Sequence, residues 1–516
     1  MAPKNAAYGL WESPIEADDF GAADSTMLDS VHVNRSNGKI YLCEIRPGEE
    51  GRGAIVEFDR DGTSREVLPK EYSALSQVHE YGGGSFIVRQ NGHLVFTDMS
   101  TKGVFDFDVE SGVVAPLLEA DPKVYYADFD AHDEWILAIK EDHHPPTIGE
   151  TTNTLVAIDS DTKTMHTLSL DGTPDFVLYP RFSPDGKKVC WIQFSFPSMP
   201  WDYTELWLAD FKDGQIANAK PVAGKEHKAS VTQPVWSPDG SLFFVDDRSG
   251  WWQLYKQNLE GDVEHIALPG LEESEFGNCD WWLGCKRYTP LGDKGDKLFS
   301  IYLKDGYCHS ILIDLSQHPF TSKNLDCPVV EVMFNAVTPV SDTHIAIIGA
   351  TLTKPQSLFL VEMDNAGAPQ TLKSSSPLAL PEAYAPTPRS ITFPCSQETG
   401  GGFAHAIYFP PTNPNFTCEG PAPLIVAMHG GPTWVETGAV SLRDAFLYTR
   451  GYAVVQINYR GSAGYGKRYA ALLKENWGVR DIADAVSCVG YLAKEGLIDK
   501  SRVGLTGHSA GGYATM

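Results

Sequence analysis

Residues 502–511 have the sequence RVGLTGHSAG, which joins an apolar run to a serine between glycines. The run RVGLTG predicts a buried strand, and the small residues Gly507, Ala510 and Gly511 around Ser509 allow a sharp turn from that strand into a helix. Such a turn exposes the serine hydroxyl and directs the N-terminus of the helix towards it. The simpler alternative is a glycine-rich turn whose serine has no role. Ser509 is therefore a candidate nucleophile that needs support from a second element.

The second element is MHGGP at residues 428–432, which follows the buried apolar run LIVAM (424–428). Acyl transfer creates an oxyanion, and backbone N–H groups that are held in place stabilise it. Glycine lets the main chain approach such a group closely because it carries no side chain. We therefore expect the N–H groups of Gly431 and Ala510 to be the oxyanion donors.

Two histidines lie next to these motifs in the sequence. His429 ends the strand that leads into the glycine pair, and we expect it to pack beneath the loop. His508 precedes Ser509, and a turn that points the serine into the site points this imidazole away. The sequence therefore predicts that neither histidine is the catalytic base.

A Ser- and Pro-rich segment, 374–394, is interpreted as a linker, after which strands alternate with helices. This alternation builds a doubly wound, mostly parallel sheet, which we assign to residues 390–516. The predicted elements are strands at 406–409, 424–428, 452–458 and 502–507 and helices at 441–450 and 478–495. The second helix stops at Gly496. Its apolar residues recur on one helical face: Val479, Ile482, Val486, Val489 and Ala493.

A loose repeat fills the chain before the linker. Each of its seven copies opens with a turn at Asn or Asp, residues that tolerate the left-handed backbone of tight hairpins, and continues as an apolar strand. A second strand follows in each copy, and the spacing of about 51 residues fits the four strands of one propeller blade. The repeat therefore predicts a seven-bladed β-propeller over residues 30–380. The turns lie at 37, 91, 133, 185, 239, 296 and 342, and the second strands at 54–58, 104–108, 155–159, 206–210, 254–258, 310–314 and 358–362.

The chain of 516 residues carries 67 acidic and 41 basic side chains, a net charge of −26. So acidic a surface repels phosphate backbones and anionic lipid, which argues against nucleic acid and membrane partners. The N-terminus has no signal-peptide core, and no apolar run has transmembrane length. The nine scattered cysteines lack CxxC spacing, which favours reduced thiols in a cytoplasmic protein.

Eight stretches are more specific together than any single motif: YGLWESPI (8–15), VHEYGGGSF (78–86), MPWDYTELWLADF (199–211), SVTQPVWSPDG (230–240), DRSGWWQLY (247–255), HGGPT (429–433), NYRGSAGYGKRY (458–469) and GHSAGGY (507–513). They resemble the prolyl oligopeptidase family of serine peptidases, nearest its acylaminoacyl-peptidase and dipeptidyl-aminopeptidase branch. The resemblance implies a propeller that caps an α/β-hydrolase domain and restricts entry to short peptides and unfolded segments. It also implies that residues 1–29 pack on the hydrolase domain and that an acyl-enzyme forms on Ser509 without a metal or cofactor.

In that family the Asp and His of the catalytic triad follow the serine, and no residue between Ser509 and Met516 matches either one. The resemblance therefore implies a hydrolase domain truncated after the nucleophile. A serine without a base is a weak nucleophile, so this polypeptide is expected to be inactive. A carboxylesterase on the same machinery and a non-catalytic propeller scaffold or binding protein are the alternatives. A homo-oligomer and the exact peptide specificity stay open.

Three propeller residues are candidate substrate contacts: Glu80, Tyr81 and Glu205. A glutamate that faces the cavity can bind a peptide amino terminus. The alternative is that these side chains satisfy backbone groups between blades. We prefer that alternative and assign none of the three to the predicted site.

Overall fold

The structure, a computed structural model, describes residues 2–21, 25–144 and 151–516. Residues 1 and 22–24 of the predicted N-terminal segment lie outside the described residues. All nine cysteines are described and are free thiols. In these ranges, no helix combines the length and the apolar character that crossing a membrane requires.

The N-terminal residues lie against the C-terminal part of the chain. Strand β1 (Lys4–Asn5) pairs in parallel with Phe416–Thr417. The hydroxyl of Tyr8 donates a hydrogen bond to the carbonyl oxygen of Gly420 over 2.8 Å. Ile15 is fully buried in an apolar cluster of the C-terminal part.

Strands β2–β29, between residues 27 and 374, pair antiparallel with their sequence neighbours in groups of four. Five groups are separate sheets, while the first and last groups share one eight-stranded sheet through a parallel pairing of Ser30 with Asn335. The series thus closes on itself, which is the arrangement of a β-propeller. The groups are β2 (Met27–Asn34), β3 (Lys39–Arg46), β4 (Arg52–Phe58), β5 (Ser64–Glu66); β6 (Phe86–Val88), β7 (Leu94–Thr97), β8 (Val104–Asp108), β9 (Val113–Leu118); β10 (Val124–His132), β11 (Trp135–Asp142), β12 (Thr152–Asp159), β13 (Thr164–Thr167); β14 (Phe176–Phe182), β15 (Lys188–Phe194), β16 (Glu205–Lys212), β17 (Gln215–Ala223); β18 (Val231–Trp236), β19 (Leu242–Asp246), β20 (Gln253–Gln257), β21 (Val263–His265); β22 (Tyr288–Leu291), β23 (Lys297–Lys304), β24 (Tyr307–Asp314), β25 (Thr321–Leu325); and β26 (Glu331–Ser341), β27 (His344–Ala350), β28 (Ser357–Glu362), β29 (Gln370–Ser374).

The two strands predicted for each repeat are the second and third strands of each group. The predicted strand 104–108, for example, coincides with β8. The first strands were not predicted, and several of them contain β-bulges at which a residue other than glycine has a positive φ: Asp128, Tyr179 and Gln233. A bulge interrupts the alternation of apolar and polar residues by which a strand is detected.

Neighbouring groups pack face to face through large apolar side chains. Between the third and fourth groups, Leu137 and Leu155 are buried in one cluster with Trp191 and Trp207. The two indole rings are stacked with centroids 6.3 Å apart. Removing a side chain of this size from water stabilises the fold by about 1.5–3 kcal/mol.

The C-terminal part contains a five-stranded sheet with the order β30–β31–β34–β33–β35. β33 pairs in parallel with β34 and β35, while β31 pairs antiparallel with β30 and β34. Within this sheet, two of the pairings between described strands are parallel and two are antiparallel. The sequence predicts a mostly parallel sheet. The elements are β30 (Arg389–Pro394), β31 (Phe403–Phe409), β32 (Phe416–Thr417), β33 (Ala422–Met428), α1 (Leu442–Tyr448), β34 (Ala453–Asn458), α2 (Lys467–Ala470), α3 (Arg480–Lys494), β35 (Ile498–Gly507) and α4 (Ala510–Thr515). Short 3₁₀ turns lie at Ala17–Gly21, Pro47–Glu49, Met363–Asn365, Glu382–Tyr384, Gln397–Thr399 and Ala471–Leu473.

Two predictions for this part are wrong in detail. Residues 389–394, interpreted as the end of the linker, form β30 at the edge of the sheet. The helix α3 does form, but only part of its predicted apolar face packs inward: Val479, Ile482 and Val486 are 53%, 40% and 68% exposed, while Val489 and Ala493 pack against the core of the sheet. Its buried residues are Asp481, Asp484, Ala485, Cys488 and Leu492.

Candidate active site

Ser509 lies between β35 and α4 with φ 54° and ψ −123°. A sharp turn between a strand and a helix is what the sequence predicts at this position. Strained backbone of this kind in a residue other than glycine is concentrated at functional sites. The turn depends on its glycines, because a Cβ at Gly507 would collide with the carbonyl group of Gly511, and one at Gly511 with the carbonyl oxygen of Met428.

The loop after β33 comes close to the serine. A Cβ at Gly430 would lie 3.2 Å from the Cβ of Ser509, so a glycine at this position permits the approach. Gly431 has φ 115°, in the region that favours glycine. Within the described ranges, the N–H groups of Gly431 and Ala510 donate no hydrogen bond to the protein. Both N–H groups are therefore unpaired.

His429 is buried and makes contacts through both of its ring nitrogens. Its Nδ1 donates to the carbonyl oxygen of Gly430 over 2.7 Å, which leaves Nε2 to accept from the hydroxyl of Ser462, also over 2.7 Å. The ring stacks on Tyr459 with centroids 4.3 Å apart. Burial lowers the pKa of His429 to about 4. A neutral imidazole thus packs beneath the loop, as the sequence predicts.

His508 is exposed to solvent. In the part of the chain that the structure describes, no imidazole is hydrogen-bonded to the hydroxyl of Ser509, neither that of His508 nor that of His429. The arrangement therefore combines a serine on a strained turn with two unpaired N–H groups, and none of the described imidazoles is bonded to the serine hydroxyl.

A cavity of about 240 Å³ opens beside Gly431, between the propeller and the C-terminal sheet. Its propeller wall includes three indole side chains, those of Trp201, Trp252 and Trp281. Trp281 donates its indole N–H to the carbonyl oxygen of Thr433 over 2.8 Å. A propeller side chain thus holds the loop that carries Gly431.

Comparisons with known proteins agree with this geometry. Residues 439–516, which include Ser509, match the prolyl oligopeptidase family. The chain is similar to a Mycobacterium tuberculosis puromycin-hydrolyzing peptidase, with a TM-score of 0.88 and 28% identity over 100% of this chain and 78% of that chain. The segment that carries Ser509 is thus similar to the prolyl oligopeptidase family.

Two curated relatives match over shorter stretches. The chain is 42% identical over 93 residues to acylamino-acid-releasing enzyme 1 of Oryza sativa subsp. japonica, which is 18% of this chain and 12% of that protein. It is 34% identical over 98 residues to dipeptidyl aminopeptidase BIII of Pseudoxanthomonas mexicana, which is 19% of this chain and 14% of that protein. The matched segments therefore cover less than two thirds of either relative.

Three carboxyl residues line the cavity beside Gly431: Asp202, Asp247 and Glu275. Asp247 lies 2.9 Å from the ammonium group of Lys467, yet burial raises its pKa to about 6. Burial likewise raises the pKa of Glu275 to about 7. Asp247 and Glu275, both in the propeller, thus lie against the segment 466–467 of the C-terminal part.

Asp247, Glu275 and Trp281 were not among the predicted site residues, because their partners lie far away in the sequence. Trp281 belongs to DWWLG (280–284). The two adjacent tryptophans are visible in the sequence, but the sequence does not indicate what they contact. Glu205, a rejected candidate, is bonded by the hydroxyl of Tyr203 and by the indole N–H of Trp207. Across the described ranges, no group of three or more His, Cys, Asp or Glu side chains is placed to hold a metal ion.

Proposed function

We propose that this chain is a serine peptidase that cleaves short peptides near their amino termini through an acyl-enzyme on Ser509. The observation that carries the proposal is the strained turn at Ser509 against the glycine loop, with the N–H groups of Gly431 and Ala510 unpaired. Similarity to an acylamino-acid-releasing enzyme and a dipeptidyl aminopeptidase supports a peptide substrate.

The proposed chemistry follows from the residues. The hydroxyl oxygen of Ser509 attacks the scissile carbonyl carbon, its proton passes to a base, and the carbonyl oxygen becomes an oxyanion. The N–H groups of Gly431 and Ala510 donate to this oxygen, and losing one such donor costs about 10²–10³ in kcat. Collapse expels the amine, which takes up the proton and leaves an ester on Ser509. Water then hydrolyses the ester and releases the acid.

Among the described residues, no imidazole is bonded to the hydroxyl of Ser509, since His429 is held beneath the loop by Ser462 and His508 is exposed. α/β-Hydrolases place the Asp and His of the triad after the serine in the chain. We therefore propose that the 516-residue polypeptide by itself is a poor catalyst.

We propose seven propeller blades within residues 30–380, a hydrolase domain at 390–516, and an N-terminal segment, 1–29, that packs on it. A cavity of about 310 Å³ supports the blade count, because it is lined by residues of six strand groups and by the segment 284–286 that precedes the remaining group, as expected for the axis of the propeller. The pairing of β1 with β32 supports the place of the N-terminal segment. The free thiols support a cytoplasmic location.

The test uses the protein as its cells produce it, from a chromosomal copy that carries an affinity tag. Hydrolysis of an aminoacyl 4-nitroanilide is compared between the native protein and Ser509→Ala. Loss of the nucleophile is expected to lower kcat by at least about 10⁴. Full activity of the Ser509→Ala protein would refute the proposed function.

A further inference from the structure

The cavity of about 310 Å³ at the propeller axis lies apart from the candidate active site. Of the described residues, none lines both this axial cavity and the one beside Gly431. Arg181 lines the axial cavity near the end of β14, whereas Trp201 lines the other cavity from the loop after β15. Since β14 and β15 are antiparallel, these two positions lie at opposite ends of their strand group. The axial cavity therefore lies towards the end of the propeller away from Gly431.

Lys286 lines the axial cavity and carries an ammonium group without a partner. Within residues 2–21, 25–144 and 151–516, this group has no hydrogen bond and no salt bridge. Burial, together with the positive charges of Arg35 and Arg181, lowers the pKa of Lys286 to about 7. The carboxylate of Asp130 opposes this shift. An anion bound beside the ammonium group would favour its charged form.

The acidic groups near this ammonium group are bonded to other groups. Asp128 lies 2.6 Å from the guanidinium group of Arg181, and its second oxygen accepts from the N–H of Tyr179 over 2.7 Å. Asp130 accepts from the N–H of Phe182 over 2.7 Å, and burial raises the pKa of Asp130. The ammonium group is therefore left as a cation without a carboxylate of its own.

Three further titratable groups lie in or near the cavity. Burial lowers the pKa of His32 to about 3, so its ring is neutral. Burial also raises the pKa of the Cys285 thiol, which is neutral too. Asp342 acts on Arg35 but not on Lys286. A carboxylate carries one negative charge and a phosphate about two, so a carboxylate is the better match for one unpaired cation.

Gln233 adds a second donor that the protein leaves unpaired. It lines the same cavity from β18 and is 1% exposed. Its side-chain oxygen accepts from the N–H of Arg287 over 2.9 Å, which identifies the other atom of the amide as the nitrogen. This buried nitrogen has no hydrogen-bond partner among the described residues. Because a buried donor without an acceptor is costly, an acceptor oxygen supplied by a ligand would stabilise this wall.

Much of the remaining wall is apolar. Its apolar side chains come from the first strands of several groups and include Val33, Ile87, Val88, Phe129, Val235 and Trp236. An inorganic ion would leave this surface in contact with water, whereas the body of an organic acid would cover it. The wall therefore favours a ligand that combines one negative charge with an apolar body.

We propose that the axial cavity binds a small organic carboxylate, whose charged group pairs with Lys286 and accepts a hydrogen bond from the amide of Gln233. The apolar side chains of the wall pack against the rest of the ligand. Free apolar acids and the carboxyl termini of short peptides share this chemistry. The inference goes beyond the proposed function, since the site lies apart from Ser509 and involves no reaction.

Isothermal titration calorimetry of the 516-residue chain tests the site. The probes are 3-phenylpropanoate and its neutral amide, 3-phenylpropanamide. At about pH 6 the anion is expected to bind about tenfold more tightly than the amide, as for a hydrogen bond between charged groups. Because the bound anion keeps Lys286 charged, the affinity for the anion is expected to fall about tenfold between about pH 6 and 8. At the upper pH, binding is expected to take up about one proton, which titrations in buffers of different ionisation enthalpy measure.

Lys286→Met removes the charge and nearly keeps the length of the side chain. It is expected to reduce the affinity for the anion to that for the amide and to abolish the pH dependence. The matched control is Lys70→Met, which changes an exposed lysine outside the cavity and is expected to alter neither affinity. Gln233→Glu keeps the acceptor for Arg287 but replaces the unpaired donor by an oxygen, so the anion is expected to bind about tenfold more weakly.

N-acetyl-L-phenylalanine distinguishes the two sources of the carboxylate, because its carboxyl group follows an amide bond as in a peptide. Tighter binding than that of 3-phenylpropanoate identifies a peptide carboxyl terminus, and weaker binding identifies a free acid. Both results support the site. Circular dichroism shows whether each variant is folded. If Lys286→Met does not fold, the pH dependence and the proton uptake of the native chain still decide.

Several results would each overturn the proposal. They are equal affinities for the anion and the amide, no binding of either, tighter binding of inorganic phosphate than of 3-phenylpropanoate, an affinity for the anion that does not change with pH, and an unchanged affinity in a folded Lys286→Met variant. Failure of the proposed function is a separate result, because binding of the anion does not depend on Ser509.

Discussion

The carboxylate of Glu275 accepts a hydrogen bond from the N–H of Gly466 over 3.0 Å, which joins the propeller to the segment before α2. Its other oxygen accepts from the N–H of Trp252 over 2.7 Å. Glu275 is 3% exposed. A buried carboxylate with two backbone donors thus holds the propeller and the C-terminal part together beside the candidate active site.

Glu275→Gln is expected to destabilise the chain by about 1–3 kcal/mol, because the new NH₂ group faces a backbone donor in place of an acceptor. The effect depends on pH. Burial raises the pKa of Glu275 from 4.5 to about 7, so its contribution to stability is present below pH 4.5 and is lost as the pH rises through about 7. Urea unfolding between about pH 5 and 8 should show the largest difference at the acid end.

Glu273→Gln is the control for that series, since Glu273 is exposed and lies two residues away. It is expected to leave the unfolding free energy unchanged at every pH. Two results would contradict the role given to Glu275. One is a Glu275→Gln variant with the same unfolding free energy as the native chain, and the other is a difference in unfolding free energy that grows with pH.

Gly511→Ala is expected to destabilise the turn at Ser509 by about 1–3 kcal/mol, because the new methyl group collides with the carbonyl oxygen of Met428. Gly512→Ala is the matched change in the same helix. Its Cβ would meet the carbonyl oxygen of Gly507 at an ordinary 3.5 Å, and alanine is favoured over glycine in a helix by up to about 1 kcal/mol. Urea unfolding of both variants checks the contrast, and two equal effects would argue against a tight turn.

His429 is expected to stay neutral from about pH 5 upwards, because burial lowers its pKa from 6.5 to about 4. Its contribution to stability is therefore present above pH 6.5 and is lost as the pH falls through about 4. ¹⁵N spectra of chain labelled at histidine, with His429→Gln to assign the signal, measure this directly. A His429 signal that titrates near 6.5 would show a solvent-accessible imidazole and reopen its candidacy as a base.

The 516-residue polypeptide is expected to hydrolyse aminoacyl and acylaminoacyl 4-nitroanilides at close to background rates. Loss of the base from a serine triad lowers turnover by about 10⁴–10⁶. The measurement compares this polypeptide with its Ser509→Ala variant. Robust hydrolysis that Ser509→Ala abolishes would show that a residue within the chain supplies the base.

Much of the fold follows from local sequence. Turns such as Asn91–Gly92 and Asp185–Gly186 locate the hairpins, because few residues tolerate a positive φ. The strand that follows each of these turns is mostly apolar and was predicted. The sharp turn at Ser509 was predicted from local sequence as well, since the glycines of GHSAG leave room around it.

The tertiary structure decided which polar groups lie inside. The periodicity of α3 places Asp484 on the outer face, yet it is buried because Arg460, 24 residues earlier, lies 2.7 Å from its carboxylate. In the same way Glu275 meets Gly466 across 191 residues, and Trp281 meets Thr433 across 152. A sequence by itself determines backbone preferences, which depend on neighbouring residues. The burial of a charge depends on a partner that only the folded chain brings within reach.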